Sequence, residues 1–106
     1  MTDIVEITTT TETAAQAQAL ARQMVAARLA ACVQITGPIQ SIYRWQGEVC
    51  EATEYRCTLK TTMQLVPDVT QAIEEHHPYE VPEILVLETV ACSASYAQWL
   101  HAQLRA

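Results

Sequence analysis

Two long strand-like runs joined by a two-residue turn constrain this chain most. Ile39-Gln40-Ser41-Ile42-Tyr43-Arg44-Trp45 reads as one strand, Gln46-Gly47 follows, and Glu48 to Thr61 reads as the return. In the return run Val49, Tyr55, Cys57 and Leu59 are apolar, while Glu48, Glu51, Glu54, Arg56, Thr58 and Lys60 are polar. Alternation of period two marks a half-buried strand, and a turn dipeptide between two such runs closes a hairpin. In a chain of 106 residues, a hairpin of this length outruns the rest of its sheet. Its outer end is expected to overhang and to expose Tyr43 and Trp45, and that asks for a partner subunit.

The remaining segments supply the sheet and its cover. Ile4 to Thr10 is rich in β-branched residues and reads as a first strand. Thr11 or Thr13 suits an N-cap, and Glu12 suits the positive end of a helix dipole. From Ala14 to about Arg28 the spacing of Ala17, Leu20, Ala21, Met24 and Val25 predicts an amphipathic helix. A strand is expected over Leu29 to Ile35, with a bend or bulge at Gly37-Pro38. Met63 to His77 predicts a second helix, with Val66, Val69, Ala72 and Ile73 inward and Pro67 in its first turn. Pro78 and Pro82 stop it. The apolar run Ile84 to Val90 predicts a central strand buried on both sides. Ser93 or Ser95 is expected to cap a closing helix through Tyr96, Trp99, Leu100 and Leu104. The order β-α-β-β-α-β-α predicts one α+β domain over 1–106, ferredoxin-like, with an additional C-terminal helix.

Composition narrows the functions. The net charge of −6 argues against nucleic acid or an anionic membrane as the main partner. No basic n-region or apolar h-region opens the sequence, and no apolar run approaches the roughly 20 residues of a membrane span. A cytoplasmic location is therefore expected. Cys32, Cys50, Cys57 and Cys92 match no C-x-x-C spacing, and in a reducing compartment they are expected as free, mostly buried thiols. With no G-x-G-x-x-G, P-loop, nucleophile elbow or H-E-x-x-H, the chain is not expected to be an enzyme.

Two sets of residues carry chemistry. The stretch His76-His77-Pro78-Tyr79-Glu80-Val81-Pro82-Glu83 is the densest group of ionisable side chains. Imidazole ligates copper and zinc, but neighbouring helical residues point about 100° apart, so a third ligand is needed, from Cys32, Cys92 or a carboxylate. The same histidines also suit a helix C-terminus on structural grounds. The second set is Tyr43, Trp45, Glu54, Lys60, Tyr79 and Glu83. These are expected to meet across a subunit boundary, in a cleft for a small anion or metabolite, or to form an ordinary interface.

The segments Leu29-Ala30-Ala31-Cys32-Val33, Ser41 to Gly47, Glu54, Lys60-Thr61 and His77 to Ile84 together resemble the CutA family of divalent-cation-tolerance proteins. The resemblance runs from the first strand to Trp99-Leu100. It implies a homotrimer of ferredoxin-like subunits, PII-like in arrangement, in which long hairpins pair around a three-fold axis. It also implies a role in tolerance of divalent cations, copper in particular, and no defined reaction. Copper ligands of some members map onto His76 and His77, with Cys32 as a further candidate, while their strand cysteine falls on Thr9. The alternative implied is a regulatory or scaffold trimer that binds a small molecule in its inter-subunit cleft and a partner protein on its surface.

Overall fold

The computed structural model describes residues 2–106. Strand β1 (Ile4–Thr11) leads into helix α1 (Ala14–Ala26). The Thr13 hydroxyl accepts from the Gln16 amide N–H, and the Gln16 side-chain oxygen accepts from the Thr13 N–H, each at 3.1 Å. This reciprocal box satisfies two donors that the helix start would otherwise leave open. Helix α1 stops two residues short of the expected Arg28. Arg28 takes a left-handed backbone (φ 60), and the N–H groups of Arg28 and Leu29 return to Val25 O and Met24 O. That is a Schellman end, which lets Leu29 fold back beside Met24 in the core. It also delays strand β2, which runs Cys32–Trp45 and does not begin at Leu29.

Strand β3 (Glu48–Thr62) returns through a turn with positive φ at Gln46 (51) and Gly47 (80), the two-residue geometry that matches strand twist. The ladder slips once, between Thr36↔Arg56 and Ile39↔Glu54, so that Gly37 and Pro38 oppose Tyr55 alone. This bulge divides the hairpin into a proximal half, next to the domain, and a distal arm. A Cβ at position 37 would run into the Tyr55 ring, so the bulge accepts only glycine there. A short 3₁₀ turn (Met63–Leu65) precedes helix α2 (Val66–His76), which carries Pro67 in its first turn. Strand β4 is Leu85–Glu88 and helix α3 is Ala94–Gln103. Ser93 is the residue before α3, but its side chain makes no capping bond.

The four strands form an antiparallel sheet in the order β2-β3-β1-β4. Helices α1 and α2 cover one face. There Val5, Ile7, Cys57, Leu59, Ala17, Met24, Val69 and Ile73 make the main core. Helix α3 packs through Leu100 on Ile4 and Ala31 in a smaller cluster. Arg28 ties it down further, donating to the Gln103 and Ala102 carbonyls at 2.8 Å. The expectation of a central, doubly buried strand over 84–90 is not met. Strand β4 pairs only with β1 and lies at the sheet edge, and all four of its residues are exposed. The distal arm is equally bare: Ile42 is 65% and Val49 is 64% exposed. The molecule is elongated, 45 × 26 × 23 Å, with a radius of gyration of 14.3 Å. About 13 Å is usual at this length.

Candidate functional site

The alternation of the distal arm places Ser41, Tyr43 and Trp45 on one face with Ala52 and Glu54. The segment after α2 folds against that face. His77 leaves the helix with extended backbone, and its ring is held at both nitrogens. Nε2 lies 2.7 Å from Thr10 O, and Nδ1 accepts from the Tyr79 N–H at 3.1 Å. An Nδ1 that accepts leaves the proton on Nε2, which donates to Thr10 O. The Tyr79 ring stacks at a tilt on His77, with centroids 4.7 Å apart. Its hydroxyl then donates to Glu54 Oε2 at 2.8 Å. On the next turn of chain, the Thr8 hydroxyl donates to Glu83 Oε2 at 3.3 Å.

These contacts wall a cleft of about 1070 Å³, lined by Tyr43, Trp45, Glu54, Tyr79 and Glu83 and also by Thr10, Glu12, Thr13, Glu80 and Val81. Five of the six residues expected to line a cleft are therefore brought together, and within a single chain. Glu54 is only 8% exposed, a cost offset for one oxygen by Tyr79. Burial, then the bond to Glu54 and its negative charge, push the Tyr79 phenol well above the ordinary tyrosine range. The phenol is thus fixed as a donor. The residues missed at the sequence level are Glu12, which acts on the cleft rather than on a helix dipole alone, and Thr10, Glu80 and Val81.

Lys60 is not in the cleft. It lies six residues along β3 from Glu54, roughly 20 Å at strand spacing, with its ammonium 5.7 Å from the centre of the Tyr96 ring. The reason is plain geometry: even spacing gives the same face, but not the same end of a long strand.

The proposed metal ligands are not brought together either. His76 is the last residue of α2 and is exposed, whereas both His77 nitrogens are engaged. Cys32 sits opposite Lys60, while Thr10, beside His77, sits opposite Arg56. That separates the Cys32 and Thr10 backbones by four ladder positions and two strand spacings, roughly 16 Å. Cys92 packs against the smaller core cluster. Thr9 is fully buried opposite Cys57, and its hydroxyl has no partner. Among the described residues no three His, Cys, Asp or Glu side chains are grouped to hold a metal ion. The donors of one chain therefore do not fit a copper or other divalent-cation site as they stand.

All four cysteines are free. Burial pushes the Cys57 thiol up to about 11, whereas Cys32, Cys50 and Cys92 are only partly buried. No helix among the described residues is long and apolar enough to cross a membrane.

Comparison with known proteins places this architecture. The profile described as "CutA1 divalent ion tolerance protein" matches residues 5–103. The chain belongs to the CutA1 divalent ion tolerance family. It is 41% identical over 100 residues to the divalent-cation tolerance protein CutA of Thermus thermophilus, covering 94% of this chain and 95% of that one. The CutA structure from Synechococcus elongatus superposes with a TM-score of 0.94 at 44% identity, covering 99% of this chain and 93% of that chain. A second structure of CutA from Synechococcus elongatus, complexed with a Bis-Tris molecule, gives a TM-score of 0.91 at 42% identity, over 98% and 96% of the two chains. The CutA relationship carries divalent-cation tolerance in general terms and brings no known enzymatic reaction.

Proposed function

We propose that this protein serves divalent-cation tolerance as a cytoplasmic homotrimer that binds ligand rather than catalysing a reaction, and that the Glu54–Tyr79 cleft is its working part. The observation that carries this reading is the hydrogen-bonded wall His77–Tyr79–Glu54, which holds a large, open cleft of mixed aromatic and carboxylate lining in a fixed shape. Three features support the trimer. The distal arm bares Ile42, Val49, Tyr43 and Trp45. Strand β4 bares Leu85, Val86 and Leu87 along an unpaired edge. The outer edge of β2 is unpaired as well, and free edges with apolar flanks seek further pairing. An arm reaching a neighbour would cover the open side of the cleft, as in a PII-like assembly.

A copper site on His76, His77 and Cys32 is the weaker reading, because three scattered donors would first have to be assembled from different chains.

Complementation tests both. A strain lacking its own copy is challenged with copper, zinc and cobalt and supplied with wild type, Glu54→Gln/Tyr43→Ala or His76→Ala/Cys32→Ala, the last sparing His77 because it braces the cleft wall. Loss of tolerance with the first variant, and its retention with the second, is expected. The reverse pattern would transfer the function to the His76 and Cys32 donors. Sedimentation of the purified protein is expected to give three times the 11.8 kDa chain mass.

A further inference from the structure

The charge of the cleft says what it takes. Four carboxylates, Glu12, Glu54, Glu80 and Glu83, line it together with Tyr43, Trp45 and Tyr79, and no Lys, Arg or His is among the lining residues. Within one chain the cleft offers no cation to a small anion, because Lys60 lies towards the other end of β3. We propose that the cleft selects a small organic molecule carrying a protonated amine. The inference rests on the cleft being the working site and names the class of its ligand.

Three observations converge. The first is Glu54, a nearly buried carboxylate at the cleft wall. Its Oε2 is taken by Tyr79, while Oε1 has no hydrogen bond among the described residues. Among the described residues Thr9 Oγ1 is the one fully buried side-chain polar atom without a partner, so Glu54 Oε1, which also has none, retains some exposure on a residue that lines the cleft. An unpartnered oxygen on a nearly buried carboxylate favours a ligand that donates N–H and brings positive charge. The second is the aromatic wall. Tyr43 and Trp45 are presented on the Glu54 face of the arm, and ring faces attract an ammonium through the quadrupole of the π-system. The third is size and spacing. The cleft, at about 1070 Å³, is of the volume that encloses an organic molecule, not a bare ion. Its carboxylates are not grouped for coordination either, whereas a divalent cation needs several oxygens at about 2.0–2.6 Å.

Arg56 supplies the discriminating control. It follows Glu54 by two residues on the same strand face and makes no ion pair among the described residues, yet does not line the cleft. It is the first cation along this strand face from Glu54. An amine ligand would be repelled by it.

The test uses the full protein carrying Trp99→Phe, so that Trp45 is the only tryptophan reporter, with titration calorimetry in parallel. Spermidine and ethanolamine are the cationic probes, citrate the anionic one, and magnesium ion alone the metal control. We expect at least one amine to saturate the cleft. We expect Glu54→Gln to weaken it ten-fold or more, Tyr43→Ala to weaken it several-fold, and Arg56→Gln to leave it unchanged or tighter. Citrate and magnesium should give no saturable change. Citrate binding that is lost in Arg56→Gln would overturn the ligand class while sparing the cleft as a site. Amine binding untouched by both Glu54→Gln and Tyr43→Ala would place the ligand elsewhere. No saturable binding of either amine would also overturn the proposal. Full metal tolerance in the cleft variant would instead remove the reading on which it rests. Thermal melts of each variant separate lost binding from lost folding, and Tyr43→Ala, at an exposed position, keeps the question answerable if Glu54→Gln unfolds.

Discussion

On the domain side of the Gly37 bulge, Cys57, Leu59 and Thr61 are fully buried beneath the helices; beyond it, Ile42, Val49 and Trp45 stand in solvent. Both halves belong to one hairpin and share one alternating pattern. The difference is what faces them. The proximal half has α1 and α2 on one side, whereas the distal arm has no layer of its own chain on either side except the segment around Tyr79. Identical sequence grammar thus builds a core in one place and an exposed apolar surface in the other. The chain's own stability should sit in the first and its assembly in the second.

The largest effect should come from the proximal half. Leu59→Ala removes a fully buried side chain from the main core and is expected to cost about 2–5 kcal/mol in urea unfolding. A cost below about 1 kcal/mol would mean that the proximal core is not where stability resides. Alkaline pH should act on the same half more gently. The Cys57 thiol ionises near its ordinary value of 9.0 once unfolded but only at about 11 when folded. Over that window the unfolded state holds fewer protons, so stability falls as pH rises. Tyr79, also raised in the folded chain, adds in the same direction. Urea midpoints from pH 8 to 11 should decline, and Cys57→Ala should flatten part of that decline. The smallest effect on the chain itself should come from the arm. Val49→Asp is expected to change the stability of dissociated chains by less than about 0.5 kcal/mol. It should nonetheless reduce the sedimenting mass from three chains to one, while leaving the cleft face, on the other side of the strand, intact.

Much of this was legible in the residues themselves. Periodicity gave the element order, because a helix needs spacing near 3.6 and a strand spacing of two, and Ala17, Leu20 and Met24 do form the buried stripe of α1. Strand β4 was misplaced for an instructive reason. Ile84 to Val90 is as apolar as a central strand, but hydropathy reports that a surface is to be covered, not by which chain. Tyr79 and Glu83 stand out by the density of ionisable groups around two prolines, and Glu54 and the aromatics by their place on the hairpin; one chain brings these together. Lys60 shares the Glu54 strand face but lies at a different end of the strand, since alternation fixes a face and says nothing of distance along it. Within one chain the histidine pair is not assembled as a ligand set, because of a contact that no spacing rule contains, the bond from His77 to Thr10 O across the fold.

The bulge at Gly37-Pro38 has a consequence for how this architecture can vary. Because the register is reset there, the arm beyond it can change length without disturbing the ladder that carries the core. It cannot do so continuously. Adding one residue per strand would turn Tyr43 and Trp45 to the opposite face, so only pairs are neutral, and each pair moves the tip by roughly 7 Å. In the proposed trimer the reach of one subunit toward another is therefore stepped rather than graded. Two chains of this kind whose arms differ by a single residue per strand would present mismatched faces and should sort into separate assemblies even when expressed together.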